Sequence, residues 1–429
     1  RTALRAAAGL AGAATLPTIA GCLGDGGDDS DGDDSDGDDN GDGEDDGGGD
    51  DAQSNDGNDV EYAVETVVEG FENPWGLAFL PDDGRLLVTE RPGRLSLVDP
   101  ADGAVEDVAG APAVFAEGQG GLLDVAVHPD FPDDPRVYLT YAAAAEDSPA
   151  DADGGATTHV GAGRLSLDGD DGPALDGFEA LFVAEPFRDS VNHFGSRATF
   201  GPEGSLFVTV GDRRDTEFDP DHVSQDRSNE LGSTLRLTPD GDAHPDNPFV
   251  DDGDASDAIY SYGHRNPQAM AVRPETDALW QCEHGEEDGD EINVVERGGN
   301  YGWPVASEAC HYGTDDPVAP AHDERDDVIA PVHYWECGSG GFPPSGAVFY
   351  DGDAFPEWRG DLFAGTLAAQ YLGRFTVDGT GQDAAVTERD PLLDDREWRM
   401  RAVAVEPGTG HLYVAVDAGD APVARVVPE

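Results

Sequence analysis

The sequence predicts an all-β chain folded as a six-bladed β-propeller of four-stranded antiparallel blades. Three observations predict it. A strand–turn–strand pattern recurs six times along residues 61–429. Each copy sets two runs of strand-forming residues around a Pro/Asp/Gly turn, the signal of a β-hairpin. No segment carries a convincing amphipathic helical period. Radial repetition of small sheets explains such a chain, because it protects strand edges. A β-sandwich with many insertions is the structural rival, but sandwiches lack this repetition.

The copies run in order along the chain. They read GLAFLPDDGRLLVTE at 76–90, LLDVAVHPDFPDDPRVYLTY at 122–141 and RATFGPEGSLFVTVGD at 197–212. QAMAVRPETDALWQCE follows at 268–283, a looser copy at 346–367, and AVAVEPGTGHLYVAVD at 402–417. A third strand often comes next, as Pro92-Gly93 leads into 94–98. Six copies in 369 residues give roughly 60 residues per unit, against ~40–50 in common blades, so long loops must join the strands.

Residues 1–22 have the form of a signal peptide. Arg1 and Arg5 precede an apolar run from Ala6 to Ala20, too short for a comfortable membrane span. The run ends in Ile19-Ala20-Gly21-Cys22, which resembles a lipobox, so Cys22 is the expected lipid anchor of an extracellular, cell-surface protein. Residues 23–60 form the expected linker. Positions 24–60 hold 17 acidic residues and no basic one. With so little apolar surface they cannot offset ordering entropy, and carboxylate repulsion extends them. The propeller domain is expected over 61–429.

The chain carries 24 Lys+Arg, all of them arginine, against 91 Asp+Glu, a net charge of −67. The linker does not account for it, since 61–429 alone hold 22 Arg and 74 acidic residues, or −52. Such a surface repels nucleic acid and anionic membranes, which excludes both as partners except through the lipid anchor. It also repels itself. Concentrated salt relieves that, with a Debye length of about 3 Å at 1 M, so the protein is read as that of a salt-adapted cell. The folded part holds Cys282, Cys310 and Cys337. Outside the cell an even number pairs, although connectivity is not readable from sequence. Cys310 and Cys337, which bracket one long loop, are the expected pair, leaving Cys282 buried and free.

Propellers bind ligands on loops at the channel mouth, and five polar groups lie in loops near the repeats. Gly118-Gln119-Gly120-Gly121 combines close backbone approach with a side chain that donates and accepts; a plain turn is the bland reading. Asn192-His193-Phe194-Gly195 offers a histidine suited to general-base work, or simply a surface histidine. In 262–268, YGHRNPQ, Arg265 supplies a planar fork for carboxylate or quinone oxygens. The acidic loop 283–293 concentrates oxygens of the kind a hard cation takes, or is a solvated surface loop. The Gly/aromatic run 298–304 beside it disfavours that bland reading. Arg399 and Arg401 alternate onto one strand face and suit an anionic ligand, or pair with surface carboxylates.

In this order the groups resemble the soluble quinoprotein glucose dehydrogenase and aldose sugar dehydrogenase family, the glucose/sorbosone dehydrogenases. The resemblance covers nearly all of 70–428. It rests most on YGHRNPQ at 262–268, GDEINVVERGGNYGWP at 289–304 and NHFGSR at 192–197. It implies pyrroloquinoline quinone over the channel mouth, an aldose sugar as substrate and an external electron acceptor. His193 would take the proton of the sugar's C1 hydroxyl, Arg265 would polarise the quinone carbonyl, and Asp212 would orient the histidine ring. Gln119, Asn266, Arg399 and Arg401 match cofactor contacts, and Trp335 best matches the aromatic stacked near the cofactor. One calcium ion would use the backbone carbonyls of Gly285 and Glu286. A second would use Asp290, Glu291 and the carbonyl of Tyr301. The sequence departs from the family in three places. A lysine common in the family is replaced by Leu367-Ala368-Ala369-Gln370, a proline is Glu286, and 337–341 look inserted. Two alternatives stand beside this reading: a calcium-dependent lactonase-like propeller hydrolase, and a non-catalytic propeller that binds sugars or proteins.

Overall fold

Each of the six repeats forms the inner hairpin of its own four-stranded antiparallel sheet. The structure, a computed structural model, describes residues 60–429 apart from 151, 153, 168, 170 and 171. The expected signal peptide, the anchor at Cys22 and all of the expected linker except Val60 lie outside the described residues. The first blade is β2 (Pro74–Phe79), β3 (Leu86–Glu90), β4 (Arg94–Asp99) and β5 (Ala104–Asp107), after β1 (Tyr62–Phe71). The second is β6 (Leu122–Val127), β7 (Arg136–Ala144), β8 (Ala156–Ser166) and β9 (Ala174–Val183). The third is β10 (Ala198–Phe200), β11 (Leu206–Val210), β12 (Ser233–Leu237) and β13 (Ile259–Tyr262). The fourth is β14 (Pro267–Arg273), β15 (Ala278–Glu283), β16 (Glu291–Val295) and β17 (His333–Tyr334). The fifth is β18 (Pro344–Phe349), β19 (Leu362–Thr366), β20 (Leu372–Asp378) and β21 (Ala385–Glu388). The last is β22 (Met400–Val405), β23 (Leu412–Val416) and β24 (Ala421–Pro428), with β1 as its outer strand. That pairing, Tyr62 with Pro428 through Phe71 with Ala421, closes the ring. Among the described residues the only helical segments are three-residue 3₁₀ turns.

The apolar core lies between blades rather than inside one sheet. Strand alternation gives each sheet two apolar faces, and each face packs on the neighbouring blade. Leu87, Leu97, Val125 and Leu139 fill the gap between the first and second blades. Val160, Val208 and Leu235 fill the next, and Phe207, Met270 and Tyr301 the one after. Trp280 with Phe349, then Trp358 with Val414, and finally Phe79 with Tyr413 complete the circle.

Two polar devices register the blades. In the first three, a threonine on the second strand reaches the innermost region of the next blade. Thr89 Oγ1 donates to the Leu123 carbonyl, Thr140 Oγ1 to that of Ser196 at 2.7 Å, and Thr209 Oγ1 to that of Pro267 at 2.9 Å. The same oxygens accept from Gly76, Asp124 and Arg197 N–H groups. The second device is Arg197, buried beside the start of β10. Its guanidinium donates to the carbonyls of Gln268, Trp75 and Arg401, to Asp124 at 3.1 Å and to the Ser345 hydroxyl. One side chain thereby joins the inner strands of all six blades.

Candidate active site

Inner strands begin, and second strands end, on one face of the ring, because every blade is antiparallel. The loops 118–121, 192–195 and 262–266 lead into inner strands, and 284–290 leave a second strand, so all emerge on that face. They meet in a cleft of about 270 Å³. Of the residues the sequence singled out, Gln119, His193, Arg265, Asn266, Gly285, Glu286 and Asp290 line it. A larger cavity, about 520 Å³, lies along the far ends of the inner strands and is lined by Phe79, Phe200, Val348 and Val405. Its one acid–base pair, Asp124–Arg197, is fully engaged in holding the blades, so the smaller cleft is the chemical one.

His193 sits on a loop held in an unusual backbone conformation. His193 and Ser196 have φ of 52° and 77°, in the left-handed region that L-residues disfavour. Gly195 between them, at φ 62°, is obligatory, since a Cβ there would lie 2.7 Å from the Gly211 nitrogen. Backbone strain of this kind persists only where the surroundings impose it. Here the Arg213 guanidinium packs 3.3 Å above the Phe194 ring and donates to the carbonyls of Ser190 and Asn192. The His193 N–H donates to Gln119 Oε1 at 2.8 Å, and the Gly195 N–H to Asn266 Oδ1 at 3.2 Å. Two residues expected to touch a ligand therefore also fix the histidine loop.

The imidazole is oriented by Asp212, which follows β11. His193 Nδ1 lies 2.7 Å from Asp212 Oδ1. The carboxylate accepts further from the Arg214 N–H at 2.7 Å and from Trp303 Nε1 at 2.9 Å. An ionised carboxylate only accepts, so Nδ1 carries the proton and Nε2 keeps its lone pair. Burial, then the charge of Arg265, hold the His193 pKa below its ordinary value, against the pull of Asp212. Burial alone would raise the Asp212 carboxyl, but His193 and Arg265 keep it below the usual range. The pair is thus a neutral histidine backed by a carboxylate.

Arg265 is buried over the Trp303 ring at 5.2 Å and donates to the Glu286 carboxylate. Among the described residues its Nε has no hydrogen-bond partner, nor has Nε2 of His284, which also lines the cleft. Burial, with Arg265 nearby, pushes the His284 imidazole down to about 3, so it stays neutral.

The other expected residues are not brought to the cleft wall. Arg399 and Arg401 do share one side, as alternation requires, but both turn toward Asp417, Arg401 as a direct donor and Arg399 at 3.9 Å. Arg401 also donates to Gln268 Oε1 at 2.9 Å. Trp335 stacks on Phe342, centroids 4.5 Å apart and 10° between planes, within the packing of the fourth and fifth blades. Asp290 and Glu291 part company because adjacent residues entering a strand point to opposite sides. Asp290 accepts from the N–H groups of Gly285 and Phe342, whereas Glu291 lies 3.9 Å from His322. His322 Nε2 is also 3.1 Å from the Tyr301 carbonyl. Glu291 and Tyr301, with Gly285, border a small cavity beside the cleft. Among the described residues no three His, Cys, Asp or Glu side chains form a group able to hold a metal. A cation would therefore depend on backbone carbonyls. Gly285 fits such a turn, since a Cβ there would stand 1.9 Å from the Asp288 carbonyl oxygen.

Several site residues were not singled out by the sequence. Trp303 lay within a quoted motif without a role. His284 lay in the acidic loop, and Tyr312 had no motif at all. The expected Cys310–Cys337 disulfide is present, with Cys282 buried and free. It ties the Tyr312 loop to the segment 337–341, whose Gly340 and Gly341 line the cleft.

The family model for glucose/sorbosone dehydrogenase matches residues 71–425. Aldose sugar dehydrogenase YliI of Escherichia coli is 38% identical over 370 residues, 85% of this chain and 92% of that protein. A crystal structure of a glucose dehydrogenase superposes with a TM-score of 0.75 at 41% identity, over 85% of this chain and 99% of that one. The PQQ-bound aldose sugar dehydrogenase of Streptomyces coelicolor gives 0.67 at 28% identity, over 86% and 99%. Together with the six-bladed propeller, these matches show that the chain belongs to the glucose/sorbosone dehydrogenase family of sugar oxidoreductases.

Proposed function

We propose that this protein is a pyrroloquinoline-quinone-dependent dehydrogenase that oxidises the C1 hydroxyl of aldoses to the lactone. The observation that carries the reading is the His193–Asp212 pair, 2.7 Å apart, whose histidine lines one cleft with Arg265. A planar tricarboxylate would be held in the cleft at Arg265 and His284, with a bound cation offsetting the carboxylates of Glu286, Glu287, Asp288 and Asp290. The cleft is about 270 Å³, and the buried Arg265 Nε and His284 Nε2 await partners. Gln119, Asn266 and Arg265 would hold the cofactor, with Arg399 and Arg401 supplying positive charge from behind the wall. A calcium ion on the Gly285 and Glu286 carbonyls would complete the set, since calcium accepts carbonyl and carboxylate oxygens alike.

When bound, the quinone supplies a two-electron acceptor for hydride from the sugar's C1. His193 Nε2 takes the C1 hydroxyl proton as that bond becomes a carbonyl. Asp212 holds the ring and stabilises the imidazolium that results. Arg265 brings fixed positive charge to where negative charge develops, a stabilisation needed mainly in the transition state. Glu286 now neutralises that charge, so its carboxylate must yield part of the guanidinium to the ligand. Electrons then pass to an external acceptor. On this reading the enzyme works outside the cell, anchored through Cys22. The test is reconstitution of the purified chain with the quinone and calcium in molar salt, followed by dye reduction across an aldose panel. Reduction that needs both additions supports the reading, and no reduction with any aldose refutes it.

A further inference from the structure

We infer that Tyr312, with Glu287 and Asp288, forms a sugar subsite at the cleft rim that favours neutral aldoses over acidic ones. The inference deepens the dehydrogenase reading and rests on it. Five large apolar side chains are exposed among the described residues, and only Tyr312 of these lines the cleft. At 58% it is also the most exposed of them. A single exposed aromatic side chain is ordinary on a protein surface, but at the rim of a polar cleft it gives the apolar face of a ligand a surface to cover.

The exposure is built, not incidental to a loose loop. Two residues before Tyr312, Cys310 is joined to Cys337. Cys310 and Glu287 exchange both backbone hydrogen bonds, at 3.0 and 3.1 Å. The Gly313 N–H donates to the Glu287 carboxylate. The His311 ring stacks on Phe218 with centroids 5.5 Å apart, and Phe218 meets Trp303 edge-on at 5.2 Å. The backbone that carries the phenol ring is thus fixed on both sides, by a disulfide, a strand-like bridge and a stack that leads back to Asp212. A rigid aromatic ring offers contact area at low entropic cost, and the C–H face of a pyranose is the apolar surface that fits it.

Glu287 and Asp288 line the same cleft. Each carboxylate already accepts backbone N–H groups, Glu287 from Gly313 and Asp288 from Gly338 and Gly340. Both keep lone pairs for sugar hydroxyls, which can donate to them. A sugar carboxylate or phosphate can only accept, and it would meet like charge.

The experiment uses the full chain loaded with quinone and calcium at one fixed salt concentration. It compares glucose with glucuronate, and wild type with Tyr312→Ala, Tyr312→Trp and the pair Glu287→Gln/Asp288→Asn. Sugar binding is measured by calorimetry beside turnover. Tyr312→Ala should raise the glucose KM about fivefold with kcat within twofold, and Tyr312→Trp should recover most of the loss. Wild type should prefer glucose at least about tenfold in KM, a margin that narrows in the double variant. Turnover with an unchanged KM in Tyr312→Ala, or equal use of glucuronate, overturns the subsite and leaves the dehydrogenase standing. Glucose binding that Tyr312→Ala weakens in a chain with no turnover supports the subsite and overturns the dehydrogenase.

Discussion

The chemistry proposed for the site depends on one carboxylate with three hydrogen-bond partners and a fourth neighbour, His222, at 3.8 Å. Asp212 serves His193, the Arg214 N–H and the Trp303 indole together. On the proposed mechanism the histidine must be neutral before it takes a proton. Its pKa is lowered by burial and then by Arg265. The sign follows: the base form survives below the ordinary histidine value of about 6.5. In the loaded enzyme, kcat/KM should stay flat from pH 8 down through about 6.5 and fall only below it. Trp303→Phe removes one donor from Asp212, which leaves more negative charge facing the imidazole. The acid limb should then move up by about half a pH unit or more, while the alkaline plateau changes little. A limb that does not move would assign Trp303 to packing alone. His193 was legible in the sequence because its loop precedes a repeat. Trp303 was not, because its partner stands 91 positions away and nothing local demands the contact.

At the scale of elements, the repeats disclosed the inner hairpins and, in places, a third strand such as β4, but no outer strand. Every quoted copy forms the first two strands of a blade, because most of these are buried on both faces and keep the apolar pattern, the short, half-buried β10 apart. Outer strands such as β5 and β21 carry mostly exposed residues, so no comparable pattern marks them. The threonines in LLVTE, YLTY and FVTVGD were visible as strand formers only. In the fold each is a bracket between blades. Thr140→Val keeps the shape and removes the hydroxyl that serves the Asp124 N–H and the Ser196 carbonyl. Two buried groups lose a partner, at about 1–3 kcal/mol for each group left unsatisfied. Denaturant unfolding should register a loss of about 2 kcal/mol or more with an unchanged m value. A loss below 0.5 kcal/mol would deny the threonines this role. Trp335, which best matched an aromatic stacked near the cofactor, packs partly buried on Phe342 and Phe375 between blades.

For the whole molecule, closure and charge decide stability. Arg197 was legible only as the last letter of NHFGSR and the first of the third repeat, yet it touches the inner strands of every blade. Arg197→Met would leave Asp124 buried without its cation, a kind of loss that costs about 3–5 kcal/mol. Adding Asp124→Asn should recover part of that, because the orphaned charge goes with it. Recovery of nothing would mean that the arginine's contacts to backbone carbonyls dominate. Charge acts more diffusely. With 22 arginines against 74 acidic residues over 61–429, most carboxylates have no cation to meet. Self-repulsion then opposes compaction, and screening should raise the melting temperature steadily from dilute buffer to molar salt. A melting temperature indifferent to salt would contradict the salt-adapted reading.

The central claim is that His193, held by Asp212, takes the proton of the sugar's C1 hydroxyl while a bound quinone takes the hydride. Anaerobic single turnover tests it most directly, because it removes the unknown electron acceptor. The loaded chain is mixed with an aldose, and quinone reduction is followed by absorbance for wild type and for His193→Gln at matched cofactor occupancy. Wild type is expected to reduce one quinone per chain. The variant is expected to bind the quinone yet reduce it about 10²–10⁴-fold more slowly, the usual cost of losing a general base. Equal rates in the two proteins, or no reduction in wild type, would contradict the claim.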